Sequence, residues 1–235
     1  MQTSIFTLPN AGVATKPAVR NRGCGRCFDV ACAGAGLLVL SPVFLLVALI
    51  VLAFDGWPLF FRQERVGLGG KPFRIWKFRT MTPPRPGHAE PLLTSAGNSR
   101  ITRVGRWLRE FKLDELPQLW NVLIGEMSLI GPRPEVQRYV DPDAPEWKVV
   151  LGVRPGITDL ATLAYVDEEQ TLAACQDVER HYREIVLPKK LALNVRYVQL
   201  RSWRSDLELI LLTLMEILHL GRWNQSWMKR FLPAE

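Results

Sequence analysis

Apolar residues are concentrated in one block near the start of the chain, from Phe28 to Phe54, whose single charge is Asp29 at its edge. A helix needs about 20 apolar residues to cross a bilayer, so the block is long enough to span one. Ser41 and Pro42 lie near its middle, where a proline removes an intrahelical hydrogen bond and kinks or breaks the helix. The pattern predicts a membrane helix broken at this dipeptide. A buried core helix is the alternative, and apolar character on all sides argues against it.

Positive charges stand on both sides of this block. Those before it are Lys16, Arg20, Arg22 and Arg26, and those after it are Arg62, Arg65, Lys71, Arg74, Lys77 and Arg79. Lysine and arginine favour the cytoplasmic side of a membrane, so both flanks are expected on that side. The charges therefore favour a re-entrant hairpin, with an ordinary kinked spanning helix as the alternative. The polar, mixed segment 1–22 is predicted to be a flexible tail.

The pattern after the block changes to short elements. Residues 59–81 carry aromatic and β-branched residues around Gly69 and Gly70, which predicts a β-hairpin, and the proline-rich stretch 82–99 predicts a loop. Residues 100–111 have apolar positions at helical spacing with arginines between them, which predicts an amphipathic helix with a cationic face.

A second helix is predicted from Asp114 to Ile124. Asp114 is the expected N-cap, Pro117 is tolerated in the first turn, and Gly125 ends the helix. Beyond it, Pro132 and Pro134 are expected to hold Arg133 in a rigid extended turn.

The C-terminal part combines a strand-like stretch with helices. A Pro-Gly turn and an apolar stretch fall within 153–165, and 167–200 has a mainly helical pattern. Residues 206–220 are strongly apolar and amphipathic and are flanked by Trp203, Trp223 and Trp227, which favours a helix at a membrane interface; a core-packed last helix is the alternative. The predicted fold class is α+β and mainly helical. It comprises the tail 1–22, a broken membrane helix at 23–56 and a small cytosolic catalytic domain at 57–235.

The composition indicates anionic partners but does not select one class of them. The 235 residues carry a net charge of +7, which suggests nucleic acid, anionic lipid headgroups or phosphorylated substrates. Cys24 and Cys27 form a C-x-x-C, but no second pair stands at zinc spacing, so reduced thiols are expected.

Candidate chemistry is concentrated in the stretch LDELPQLWN and its surroundings. Asp114 and Glu115 are adjacent at a predicted helix start, where the helix dipole keeps carboxylates ionised. Paired carboxylates can hold Mg²⁺, and an ionised Asp can attack phosphorus. Arginines in the preceding helix could neutralise phosphate, so the combination points to phosphoryl transfer. A simple capping arrangement beside a solvated arginine face is the alternative.

Three long segments carry a family resemblance. They are FFRQERVGLGGKPFRIWKFRTM, ITRVGRWLREFKLDELPQLWNVLIGEMSLIGPRPE and VRPGITDLATL. They resemble the bacterial sugar transferases, the monotopic polyprenyl-phosphate phosphoglycosyl transferases that initiate exopolysaccharide, capsule and O-antigen synthesis. The resemblance covers residues 24–220. It implies a re-entrant helix broken at Ser41 and Pro42, in the bacterial inner membrane, with the catalytic domain on the cytoplasmic face.

The resemblance also implies a ping-pong reaction with Mg²⁺. Asp114 would attack the β-phosphate of a UDP-sugar and release UMP, and undecaprenyl phosphate would then accept the phosphosugar. Glu115 would assist with Mg²⁺ and proton handling, and Arg133 would hold phosphate. Lys77, Arg79 and Arg109 match further basic positions expected to bind substrate phosphate. Membrane lipids are expected partners, and the family leaves room for a homodimer and for downstream glycosyltransferases.

One segment departs from the pattern of this family. After VRPGIT the chain continues DLATLAYVDEEQTL, where many relatives carry a Gly-x-x-Gln-Val-Asn-Gly-Arg-like run, so the identity of the sugar stays open. Two other functions compete with the transferase: a basic membrane-anchored binding module and a non-catalytic scaffold. No nucleic-acid motif is present in the sequence, so nucleic acid is not an expected partner, and the intact acidic pair and Arg133 argue against a scaffold.

Overall fold

A computed structural model describes residues 23–83, 93, 98–165 and 168–218. The predicted tail, most of the predicted loop, and Trp223 and Trp227 lie outside these residues. The helices are α1 Arg26–Val39, α2 Ser41–Phe54, α3 Arg103–Glu110, α4 Gln118–Ile124, α5 Pro145–Val150, α6 Leu160–Ala164, α7 Glu168–Ala173, α8 Val178–His181, α9 Leu187–Leu200 and α10 Trp203–Ile217. The strands are β1 Phe60–Val66, β2 Pro72–Phe78, β3 Ser128–Ile130 and β4 Gly156–Thr158. The mainly helical α+β class is therefore confirmed.

The apolar block forms two helices, as predicted. α1 and α2 meet at Leu40 with a bend of 59°, and the Ser41 hydroxyl donates to the carbonyl of Leu38 at 2.7 Å. Within the described ranges, no individual helix has the length and apolar character needed to cross a bilayer, whereas the bent pair meets both criteria together. The break at Ser41 and Pro42 is confirmed. Whether the pair turns back within a membrane stays a prediction.

The first of these helices is docked firmly on the rest of the protein. Ala33 is buried, and a Cβ added at Gly36 would come within 3.3 Å of the Leu119 side chain, so α1 packs closely on α4. The buried Asp29 carboxylate accepts hydrogen bonds at 3.0 Å from the Ser128 hydroxyl and the N–H of Leu129 in β3. One charged residue at the edge of the apolar block thus fastens α1 to the parallel strands.

The predicted hairpin and its turn at the glycine pair are confirmed. β1 and β2 pair antiparallel from Phe60 opposite Phe78 to Val66 opposite Pro72. Gly69 and Gly70 both adopt positive φ, at 66° and 77°, which only glycine adopts without strain. This hairpin carries Lys77 along one wall of the candidate site.

The predicted start of the second helix is wrong. Leu113–Glu115 form a separate 3₁₀ turn, preceded by Lys112 at a φ of 54°, and α4 begins only at Gln118. Asp114 lies inside the turn and its side chain caps no helix. Gly125 ends α4 at a φ of 93°, as predicted.

The core of the C-terminal part forms around a parallel strand pair. β3 and β4 pair parallel, with Ser128 opposite Gly156. The strand-like stretch expected within 153–165 is β4, which is only three residues long and is followed closely by α6. The long helical region after it is confirmed as α7 to α9. α10 begins at Trp203, earlier than predicted, and buries Leu209 in this core. Its exposed large apolar residues are Trp203, Leu207, Leu211 and Leu214, and the exposed Leu218 follows its last residue. One side of α10 therefore packs in the core, and contact of its exposed side with a membrane stays a prediction.

Candidate active site

A cavity of about 690 Å³ collects the residues predicted from the sequence. The predicted residues along its walls are Lys77, Arg79, Arg109, Asp114, Glu115 and Arg133. The cavity also reaches Gly36 and Leu40, next to the break between α1 and α2. It therefore joins a charged region at the 3₁₀ turn to an apolar region at the broken helix.

Glu115 is held between two cations. Lys77 Nζ lies 2.7 Å from Glu115 Oε1, and Arg133 Nη1 donates to Oε2 at 3.1 Å while its Nη2 contacts Oε1. Burial raises the pKa of Glu115, but the charges of Arg133 and Lys77 outweigh it and hold that pKa well below its usual range. Glu115 is consequently a fixed anion that orients both cations.

Asp114 has a different environment. Its side chain is buried, yet no described residue donates a hydrogen bond to the carboxylate. Burial raises the pKa of Asp114, and Lys77 only partly opposes this. A helix start was expected to keep both carboxylates ionised, but the low pKa of Glu115 comes from Arg133 and Lys77, and for Asp114 burial works in the opposite direction. A buried carboxylate with open coordination can act as a nucleophile or as a metal ligand.

One member of the acidic pair, Asp114, fits a divalent cation of the magnesium type. Among the residues that the structure describes, no group of three or more His, Cys, Asp or Glu side chains converges on one point. Mg²⁺ commonly takes one or two carboxylates and completes its shell with water and substrate phosphate, so Asp114 can serve as its protein ligand, whereas both oxygens of Glu115 are engaged by Lys77 and Arg133. The Asp114 carboxylate receives no hydrogen bond from a described residue, and this observation favours Mg²⁺ binding there.

Two residues that sequence reasoning missed position the predicted ones. Asn121 of α4 accepts the Trp76 N–H at 3.0 Å and donates to the Arg74 carbonyl at 2.8 Å, so it binds the strand that carries Lys77. Asp159 accepts the backbone N–H of Arg133 at 3.2 Å and caps α6. Both lie within resembling segments, and Asn121 is also a lone polar residue in an apolar run, which was the available signal.

Arg79 and Arg109 are engaged outside the acidic pair. The Arg79 guanidinium donates to the carbonyls of Trp57 at 2.8 Å and Gly56 at 2.7 Å and also contacts that of Asp55, so it holds the end of α2. Arg109 forms an ion pair with Glu169 of α7. The structure thus brings Lys77, Glu115 and Arg133 into direct contact and gives Arg79 and Arg109 other partners.

Comparison with known proteins identifies the family. The model of the bacterial sugar transferase family matches residues 20–220. The chain belongs to this family. The predicted family and the prediction that the chain is an enzyme are therefore confirmed.

Characterised and uncharacterised members resemble this transferase over most of its length. A protein from Caulobacter vibrioides named UDP-glucose:undecaprenyl-phosphate glucose-1-phosphate transferase is 36% identical over 92% of this chain and 77% of its own. The uncharacterized sugar transferase EpsL of Bacillus subtilis is 36% identical over 82% of this chain and 86% of its own. The exopolysaccharide production protein ExoY of Sinorhizobium fredii is 31% identical over 90% of this chain and 92% of its own. A longer relative from Klebsiella pneumoniae is matched over 38% of its length.

Proposed function

We propose that the transferase moves a sugar-1-phosphate from a UDP-sugar to undecaprenyl phosphate, giving the lipid diphosphate sugar and UMP. The observation that carries the proposal is the buried Asp114 carboxylate, which receives no hydrogen bond from a described residue. Beside it, the charge of Glu115 is neutralised by Lys77 and Arg133. Relatives whose names specify UDP-glucose or UDP-N-acetylgalactosamine donors and undecaprenyl phosphate acceptors support the substrate classes.

The reaction runs in two displacements at phosphorus. An Asp114 oxygen attacks the β-phosphorus of the donor, the bond from that phosphorus to the bridging oxygen breaks, and UMP leaves with this oxygen. A phosphate oxygen of the acceptor then attacks the aspartyl-phosphosugar and releases the carboxylate. Arg133 and Lys77 add positive charge beside the phosphorus, and Glu115 keeps both cations in place. Bound Mg²⁺ would neutralise charge on the transferred phosphate.

The shape of the cavity supports a lipid acceptor. Its apolar end is lined by Gly36 and Leu40 at the helix break and by Leu119 of α4. A polyprenyl chain entering along the exposed apolar surface of α1 and α2 could bring its phosphate to Asp114 without leaving the bilayer. This route requires the pair to re-enter the bacterial inner membrane from its cytoplasmic face, which we include in the proposal.

Replacement of the nucleophile tests the proposal. With a UDP-sugar panel, undecaprenyl phosphate and Mg²⁺, Asp114→Asn should lower the rate of UMP release by about 10⁴-fold, because the amide cannot attack phosphorus. Asp143→Asn, at an exposed turn, is the matched control and should retain the full rate. Mass spectrometry of the native protein with donor alone should detect a phosphosugar adduct on Asp114. Equal turnover by Asp114→Asn would refute the assigned nucleophile.

A further inference from the structure

The ion pair between Arg109 and Glu169 joins two walls of the cavity. Arg109 lies in the last turn of α3, close enough to Asp114 for its charge to act on that carboxylate. Glu169 lies on α7, in the segment that departs from the pattern of the family. Both side chains line the cavity, so an incoming phosphorylated substrate meets a cation that already has an anionic partner.

Solvent exposure indicates which ion pair of the cavity costs the least free energy to separate. The Glu169 side chain is 46% exposed, against 13% for Glu115, 11% for Glu135 and 22% for Glu168. Ion pairs with an exposed partner are weak because water solvates the released charge, whereas breaking a buried pair strands a charge. Among the ion pairs of the described cavity wall, that of Arg109 is thus the least costly to open.

The neighbouring carboxylate keeps α7 in place when this pair opens. Glu168 accepts a hydrogen bond from Lys190 of α9 at 2.8 Å, and the Lys190 side chain is buried. Leu172, on the same helix, is buried against Tyr182. α7 therefore has an anchor that does not depend on Glu169, which leaves Glu169 free to change partner.

We infer that Glu169 is a built-in competitor of the donor diphosphate for Arg109, and that it sets the affinity of the enzyme for its nucleotide-sugar. The inference rests on the proposed function. In the free enzyme the carboxylate neutralises Arg109. On binding, a phosphate oxygen of the donor takes the guanidinium, and Glu169 turns to solvent. Glu169 is thus an affinity-determining residue and takes no part in the chemical step.

Equilibrium titration of the full-length protein in lipid nanodiscs with UDP and Mg²⁺ tests the inference. Glu169→Gln should bind UDP about two- to fivefold more tightly than the wild type, the range expected when an exposed competing ion pair is removed. In an Arg109→Gln background, the second substitution Glu169→Gln should change UDP affinity little, because the guanidinium for which Glu169 and the diphosphate compete is no longer there. Glu184→Gln removes an exposed carboxylate paired with Arg180 outside the cavity, and should leave UDP affinity unchanged.

The outcomes separate this inference from the function on which it rests. Unchanged or weaker UDP binding by Glu169→Gln, with normal binding by the wild type, overturns the competitor role and leaves the transferase proposal intact. Tighter binding that persists in the Arg109→Gln background also overturns it, because the effect then does not pass through Arg109. Failure of the wild type both to bind UDP and to release UMP from any UDP-sugar refutes the proposed function itself.

Discussion

Asn121→Ala is the substitution that best tests how the site is held together. Asn121 is fully buried, and its amide replaces a strand partner for β2 by pairing with the Trp76 N–H and the Arg74 carbonyl. It also donates to Glu126 at 2.6 Å. Alanine removes all of these hydrogen bonds and leaves two backbone groups of β2 facing an apolar methyl group.

The expected cost follows from those two backbone groups. A buried donor or acceptor without a partner costs about 1–3 kcal/mol, so the pair costs about 2–6 kcal/mol. The higher helix propensity of alanine returns about 0.5 kcal/mol. For a chain of this size we expect the unfolding midpoint to fall by about 5–15 °C. Lys77 follows Trp76 directly, and a displacement of about 1 Å at a reacting group can lower turnover by about 10²-fold.

Thermal unfolding and UMP release, measured on the same nanodisc preparation, check both effects. Asn194→Ala is the matched control: this asparagine is also buried on a helix, and its side-chain oxygen has no hydrogen-bond partner in the described structure. It should lose much less stability and keep its turnover. An Asn121→Ala protein with the unfolding midpoint and turnover of the wild type would show that α4 does not position β2 through this amide.

Three further substitutions test one contact at the site and two in the packing of the fold. Arg79→Lys should slow UMP release, because one ammonium cannot replace a guanidinium on three carbonyls at the end of α2; an unchanged rate would mean that this end needs no such clamp. Tyr197→Phe removes the buried hydroxyl that donates to Asp206 and should lower the free energy of unfolding by about 1–3 kcal/mol in urea titration, and a loss below the error would contradict the role of this hydrogen bond. Asp29→Asn should lower the thermal midpoint by several degrees, since a neutral amide oxygen accepts the hydrogen bonds from the Ser128 hydroxyl and the Leu129 N–H less strongly than a carboxylate oxygen does; an unchanged midpoint would show that this contact does not fasten α1.

Elements with a local cause could be predicted from the sequence. The glycine pair defines the hairpin, Pro42 breaks the apolar helix, and Gly125 ends α4. The position of Asp114 could not be predicted, because its 3₁₀ turn depends on a positive φ at Lys112. The parallel pairing of β3 with β4 is also non-local, since no feature of either short strand specifies the other.

The candidate site also has parts that the sequence predicts and parts that only the fold brings together. The acidic pair itself pointed to Glu115, and the resemblance pointed to Lys77 and Arg133, but their mutual contacts depend on the turns that bring three separate segments together. Asn121 falls inside the predicted second helix, but its importance lies in its hydrogen bonds to a strand far away in the sequence. Glu169 lies where the family pattern gives no guidance, so its partner appears only in three dimensions.

The close packing of α1 on α4 has a practical consequence for work with this protein. Gly36 lies against Leu119, and Arg26 donates to the carbonyl of Leu123 near the end of α4 at 2.7 Å. Deleting the apolar N-terminal helices to obtain a more tractable fragment would therefore uncover the hydrophobic side of α4 and remove a cation from its last carbonyls. The broken helix is a structural wall of the enzyme, and shortened versions should be designed around it.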